Sequence, residues 1–267
     1  METVDFVRDE RGVTVVVAGH PQSYISTTDP GFLAFEYVQM LGLVIDAQPA
    51  GPLAVTHVGG AGLTLARYVQ HTRPGSPQIV LEPEEALTAL VRREAPLPRG
   101  HRIRVRPLDG RTGVARLADG SADVVIIDAY AAGRVPADLT TREALADAVR
   151  VLRPTGSLLI NLCDERGLRY VARVLATLQS VPDLADLGLV ALHEVLKHRR
   201  FGNAVVVASR MPLDWTDLAR RAGRLPAPAG IRRGSDLQRV IAGAKPLSDN
   251  DSQPSPHPPE SNGWQVR

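Results

Sequence analysis

Four features of this chain have the residue types and spacing to act on one ligand. Val58-Gly59-Gly60-Ala61-Gly62 is a glycine-rich turn that follows an apolar run. Glycines at such a turn let backbone approach a ligand closely and leave N–H groups of the next helix free. Glu82 comes 20 residues after Gly62, at the end of the next apolar run. A carboxylate in that register can accept hydrogen bonds from both hydroxyls of a ribose. Asp109 stands in Pro107-Leu108-Asp109-Gly110-Arg111, where it can cap a helix, accept from an adenine amino group, or do both through different oxygens. Asp128 ends the apolar run Asp123-Val124-Val125-Ile126-Ile127-Asp128, at the sheet edge where open α/β folds bind ligands. Together these residues point to a nucleoside.

The kind of nucleoside follows from what the turn lacks. Counting from Gly60, the sixth position of a dinucleotide fingerprint is Leu65, where Gly or Ala is needed. No Gly-Lys-Ser/Thr follows, so a triphosphate fits less well. An adenosyl sulfonium carries no phosphate and needs only close backbone and a ribose acid. His20 and His57 are weaker candidates, and His57 lies within a strand pattern, which predicts a packed ring. Lys197-His198-Arg199-Arg200 reads as a solvated turn.

These residues need a frame. Val13–Val17 and Gln22–Ser26 read as a hairpin around Gly19-His20-Pro21. Phe32, Phe35, Val38, Leu41 and Ile45 give one helical stripe, which Pro49-Ala50-Gly51-Pro52 ends. Strands are predicted at 53–58, 78–81, 103–105, 124–127 and 157–161. Helices are predicted at 63–70, 83–94, 140–152 and 165–179, the third opened by the capping-box form Thr140-Thr141-Arg142-Glu143. Residues 187–196 and 204–208 follow each other as strands, predicting an antiparallel hairpin at the sheet edge. The expected fold class is α/β: a doubly wound, mostly parallel sheet with that edge hairpin and a small N-terminal β segment. The expected organisation is an N-terminal β segment plus helix over 1–50, a nucleoside-binding α/β domain over 51–222, and a linker and disordered tail over 223–267. The tail is rich in Pro and Ser, with Leu247, Trp264 and Val266 as its few apolar side chains.

Composition removes other classes. The 267 residues are 44% hydrophobic and 22% charged, the balance of a globular protein, with a net charge of +2. That charge and 4% aromatics argue against nucleic acid as a partner. No apolar run reaches membrane-span length and the first residues lack a signal-peptide core, so a cytoplasmic protein without membrane contact is expected. Cys163 is the only cysteine, which excludes an internal disulfide and a Cys-based zinc site; no metal is expected.

In order along the chain, Gly19-His20-Pro21-Gln22-Ser23, Phe35-Glu36-Tyr37, Val58–Gly62, Val80-Leu81-Glu82, Asp109-Gly110-Arg111, Asp128-Ala129-Tyr130, Arg134-Val135-Pro136 to Leu139-Thr140-Thr141, and Val151–Gly156 resemble the spermidine synthase family. The likeness is to its bacterial spermidine-synthase-like branch and covers about residues 12–210. The resemblance implies a class I methyltransferase-type sheet behind an N-terminal β segment. It implies that Gln22, Gly59, Gly60, Gly62, Glu82, Asp109 and Gly110 bind the adenosyl ligand. It implies Asp128 and Tyr130 as catalytic residues beside the reacting centre, and Tyr37 in the substrate groove.

Three departures stand against the family pattern. Ala61-Gly62 offers no carboxylate for the amino group of decarboxylated S-adenosylmethionine. Ala131 stands where the second Asp of Asp-x-x-Asp would be the base, and Val38 follows Tyr37 where His or Gln is usual. The reading is therefore a transferase that binds S-adenosylmethionine or its decarboxylated form and moves an aminopropyl group to a polyamine. The alternatives are an S-adenosylmethionine-dependent methyltransferase and a nucleoside-binding relative without catalysis. The sequence does not name the acceptor or the oligomeric state, a homodimer being one candidate.

Overall fold

β-branched runs bounded by turns build the first sheet. In the computed structural model, which describes residues 3–259, β1 (Val4–Arg8), β2 (Gly12–Val17) and β3 (His20–Ser26) pair antiparallel in that order. The expected β2–β3 hairpin is present. β1 is additional: Val4 and Phe6 sit among charged neighbours that mask their alternation, yet they pack with Leu87 and Val91. The first helix, α1 (Glu36–Asp46), starts after Phe35 rather than at Phe32.

Alternation of strand and helix then builds the second sheet. Its first half is β4 (Val55–Val58), α2 (Thr64–Thr72), β5 (Gln78–Leu81), α3 (Glu85–Glu94), β6 (Ile103–Arg106), α4 (Gly110–Ala115) and β7 (Ala122–Ile127). A short 3-10 turn at Ala137–Leu139 leads to α5 (Arg142–Val151), β8 (Leu152–Asp164) and α6 (Arg169–Gln179). β9 (Asp186–Leu192), α7 (His193–Leu196), β10 (Gly202–Ser209), α8 (Trp215–Ala222), β11 (Ala229–Arg233) and α9 (Gly234–Ile241) complete it. The strand order is β11-β9-β10-β8-β7-β4-β5-β6, parallel from β8 to β6 and antiparallel from β8 to β11. One face is covered by apolar side chains of α5, α6 and α9, such as Leu145, Val171 and Leu237. The other is covered by α1, α2 and α8, through Leu41, Val69 and Trp215.

The chain runs outward from β4 through β5 to β6, then returns to place β7 on the other side of β4. That reversal opens a crevice at the carboxyl ends of β4 and β7. The glycine turn leaves β4 and Asp128 leaves β7, so the topology brings both to the crevice.

Two expectations are corrected. The β9–β10 hairpin exists, but β11 pairs with β9 and is the edge strand; β10 lies inside, against β8. The α/β unit also runs past residue 222, and the segment read as a disordered tail is packed from 244 to 259. Leu247 and Ser255 are fully buried. The Leu247 N–H donates to Thr177 Oγ1 at 2.8 Å and its carbonyl accepts from the Arg142 N–H at 3.0 Å. Asp249 accepts from Thr141 Oγ1 at 2.7 Å and from Arg111 at 3.0 Å, and Asp251 pairs with Arg173 at 2.8 Å. Composition misled because the segment forms no core of its own; it fills a groove whose polar partners lie on α4, α5 and α6. Thr141, not Thr140, caps α5 by accepting from the Ala144 N–H, while Glu143 accepts from the Asp249 N–H. Trp264 and Val266 lie outside the described residues. Among those described, no helix is long and apolar enough to cross a membrane.

Candidate active site

A cavity of about 1080 Å³ occupies the crevice. Gln22, Tyr37, Gly59, Gly60, Glu82, Asp109, Gly110, Asp128 and Tyr130 all line it. Gly62 does not: its N–H donates to Ser23 Oγ at 3.0 Å, and a Cβ there would lie 2.6 Å from the Ser23 Cβ. Gly62 thus seats β3 on the glycine turn, and Ala61 takes its place in the lining.

The turn is shaped by close approach. Gly59 has φ +88°, and a Cβ on it would meet the Asp128 carbonyl oxygen at 2.2 Å, so no other residue fits between β4 and β7. A Cβ on Gly110 would lie 2.3 Å from Val58 Cγ1, which holds the start of α4 against the end of β4. The turn's N–H groups are not free as expected. Gly60 and Ala61 donate to Glu82 Oε2 at 3.0 and 3.1 Å, and the Glu84 N–H donates to Glu82 Oε1 at 3.1 Å. With Gly62 on Ser23, the turn presents few donors to a phosphate.

Glu82 therefore organises the turn and faces the cavity. Glu82→Gln removes the ionic acceptor and should weaken nucleoside binding by ~1–3 kcal/mol. A fall in thermal midpoint should accompany it, because three backbone donors lose their charged partner. Titration calorimetry and a melting curve measure both; unchanged affinity would take Glu82 out of the site.

Asp109 caps α4, its Oδ1 accepting from the Thr112 N–H at 2.8 Å, and that bond holds its carboxyl below the usual range. It also lines the cavity, so both roles foreseen for it are geometrically open. His57 is packed as expected. Gln78 Nε2 donates to the Ala66 carbonyl, which turns Gln78 Oε1 toward His57 Nε2 at 2.8 Å. Burial pushes His57 down to about 4, so the ring is neutral at pH 7 and its Nε2–H is spent. In the basic turn, Arg199 pairs with Glu194 and Arg200 with Glu36.

Asp128 sits in a polar chain that sequence reasoning missed. Asn161 Nδ2 donates to Asp128 Oδ1 at 2.9 Å, and Asn203 Nδ2 donates both to Asn161 Oδ1 at 3.0 Å and to the Tyr130 hydroxyl at 3.2 Å. Asn203 thereby fixes the orientation of the Asn161 amide. Asp128 Oδ2 makes no hydrogen bond among the described residues. Burial pushes the Asp128 carboxyl up to about 6, with the Asn161 bond opposing. Burial, then the Asp128 charge, raises Tyr37, whose ring stacks on Phe35 at 6.0 Å and 8°. An Asn inside the apolar run Leu158–Cys163 was the available signal for Asn161. Among the described lining residues the charged groups are Glu82, Glu84, Asp109, Asp128 and Asp138, and none is Lys or Arg. No cluster of three His, Cys, Asp or Glu among the described residues could hold a metal ion.

No family model matches the chain. It is 24% identical over 226 residues to a polyamine aminopropyltransferase of Chromobacterium violaceum, covering 82% of this chain and 81% of that protein. Its fold superposes on a probable spermidine synthase from Corynebacterium glutamicum with a TM-score of 0.85, at 27% identity over 93% of each chain. In sequence and in fold the chain is thus similar to spermidine synthases and polyamine aminopropyltransferases. The fold alone is shared more widely. Human methyltransferase-like protein 13, solved with SAH, matches with a TM-score of 0.53 at 20% identity, covering 79% of this chain and 93% of the other. The spermidine-synthase-like chain thus carries a methyltransferase-type α/β sheet behind its three-stranded N-terminal sheet.

Proposed function

We propose that this protein transfers an aminopropyl group from decarboxylated S-adenosylmethionine to a polyamine. The observation that carries this reading is the charge of the cavity: five carboxylates and no Lys or Arg among the described lining residues, at the switch point of the sheet. Such a lining suits a sulfonium and an amine and repels a dinucleotide. Glu82 takes the ribose hydroxyls, Asp109 the adenine amino group, and Gln22 and the backbone of Gly59, Gly60 and Gly110 the rest of the nucleoside. The acceptor lies along Tyr37 and Tyr130 with its amine at Asp128.

In the reaction the amine nitrogen bonds to the propyl carbon as the carbon–sulfur bond breaks. The sulfur leaves as a neutral thioether, so the protein mainly supplies orientation. An alkylamine is protonated at neutral pH and must lose a proton to attack. Asp128 Oδ2, which makes no hydrogen bond among the described residues, accepts it. Methyl transfer from S-adenosylmethionine is the second reading, and Ala131 favours it: the residue lines the cavity where the family pattern has a second carboxylate.

Calorimetric titration with S-adenosylmethionine and with its decarboxylated form separates the two, since they differ by one carboxylate. Preference for the decarboxylated form supports aminopropyl transfer; binding of neither removes the nucleoside reading. Ala131→Asp adds a carboxylate to the lining and should raise turnover of putrescine, up to the ~10²–10⁴-fold typical of a general base. Robust turnover by the parent with no gain in the variant would assign the proton to Asp128 alone.

A further inference from the structure

The described part of the segment that composition marked as a tail reaches the site, where His257, Pro258 and Pro259 line the cavity. Ser255 is the anchor. Its N–H donates to the Val135 carbonyl at 3.2 Å, its Oγ accepts from the Val135 N–H at 2.9 Å, and Cys163 Sγ lies 3.1 Å from the same oxygen. Arg134 clamps it from the other side, donating to the Ser255 carbonyl at 2.5 Å and to His257 Nε2 at 3.1 Å. Arg134 reaches there because Ala132 and Gly133, at φ 49° and 73°, fold the chain after β7 back on itself. Beyond the clamp, His257, Pro258 and Pro259 line the same cavity as Asp128 and Ala131. A Cβ on Gly133 would lie 3.6 Å from Pro258 Cγ, so Pro258 rests on that turn.

We propose that His257, Pro258 and Pro259 form the wall at the acceptor end of the cavity and set the length of amine that fits. This rests on the transferase reading for what the acceptor is. The position is held by Ser255 and Arg134, outside the cavity, so the wall is built independently of any ligand. Two proline rings keep the backbone stiff there, with φ fixed near −65°. Among the described residues, His257, Pro258 and Pro259 bring no carboxylate to that wall for a further ammonium group on a longer amine. A short diamine fits with its reacting nitrogen at Asp128; a triamine or tetramine meets the wall.

Two full-length variants test this in opposite directions. His257→Gly combined with Pro258→Gly and Pro259→Gly opens the wall, and His257→Trp thickens it. Putrescine, spermidine and spermine are titrated by calorimetry, with and without saturating 5′-methylthioadenosine. The open variant should raise the ratio of spermine to putrescine affinity at least tenfold, and the thick variant should lower it. Both should keep the parent's 5′-methylthioadenosine affinity. Slow reaction of Cys163 with a thiol reagent in each variant shows that Ser255 remains seated. An unchanged ratio with Cys163 still protected overturns the proposal, as does a parent that binds none of the three amines. If 5′-methylthioadenosine fails to bind the parent, the transferase reading falls, while the amine ratio without nucleoside still decides the wall.

Discussion

Asp128→Asn should lower turnover by ~10²–10⁴-fold and leave the fold intact or more stable. The two effects have opposite sign because one group causes both. Burial pushes the Asp128 carboxyl up to about 6, against an ordinary value of 3.8. The folded chain therefore holds a proton between roughly pH 4 and pH 6 that the unfolded chain has lost. Stability from this group is greatest below that window and falls as pH rises through it, leaving a charge in a poorly solvated place at pH 7. Asparagine removes that charge and can still accept from Asn161 Nδ2. The proposed role as proton acceptor needs the ionised form, so on that reading parent turnover should climb through about pH 6, and the variant should lack that limb. Asp164, also pushed up to about 6 by burial, adds to the stability slope, but it does not line the cavity and should leave the activity limb alone. A pH–rate profile beside melting curves at pH 5 and 8 makes the test. A variant that melts lower at pH 8 and retains turnover would show that Asp128 is structural.

Ending the chain after Gly243 should cost at least as much stability as any single core substitution. Leu247 is fully buried, and removing a buried leucine side chain alone costs ~2–5 kcal/mol. For a chain of this size that corresponds to a fall in thermal midpoint on the order of 2–4 °C per kcal/mol. The same truncation uncovers Cys163, which is 1% exposed with Ser255 against its sulfur. Burial raises that thiol above its ordinary value, so it should react slowly in the parent and quickly in the truncated chain. Leu247→Ala isolates the packing part and should lower the midpoint while Ser255 stays in place. Equal midpoints and equal labelling rates would show that residues 244–259 contribute nothing to the fold.

Local pattern made the central sheet legible. Gln78–Leu81 is bounded by turn residues and apolar within, and it forms a strand over those residues. The capping Thr141 before α5 and the glycine turn after β4 are signals carried by a few neighbours. Residue spacing also placed Glu82 and Asp128 at strand ends, and topology then brought them to one crevice. What stayed hidden depends on partners far along the chain. β1 has its apolar side chains among charges and gains its packing from Leu87 and Val91. The 244–259 segment looks solvated until Arg111, Arg134 and Arg173 are placed beside it. Asn161 and Asn203 are 42 residues apart, and only the antiparallel pairing of β8 with β10 makes them neighbours. Gly62 was grouped with its turn by sequence, but the β3 hairpin claims it.

The residues of the nucleoside half and the acceptor wall are also separated in time of manufacture. The glycine turn, Glu82, Asp109 and Asp128 all precede residue 129, whereas the wall is residues 257–259. At ribosomal rates of about 5–20 residues per second, roughly 7–26 s separate the two. The residues proposed to hold the nucleoside are therefore all synthesised before the residues proposed to close the acceptor side.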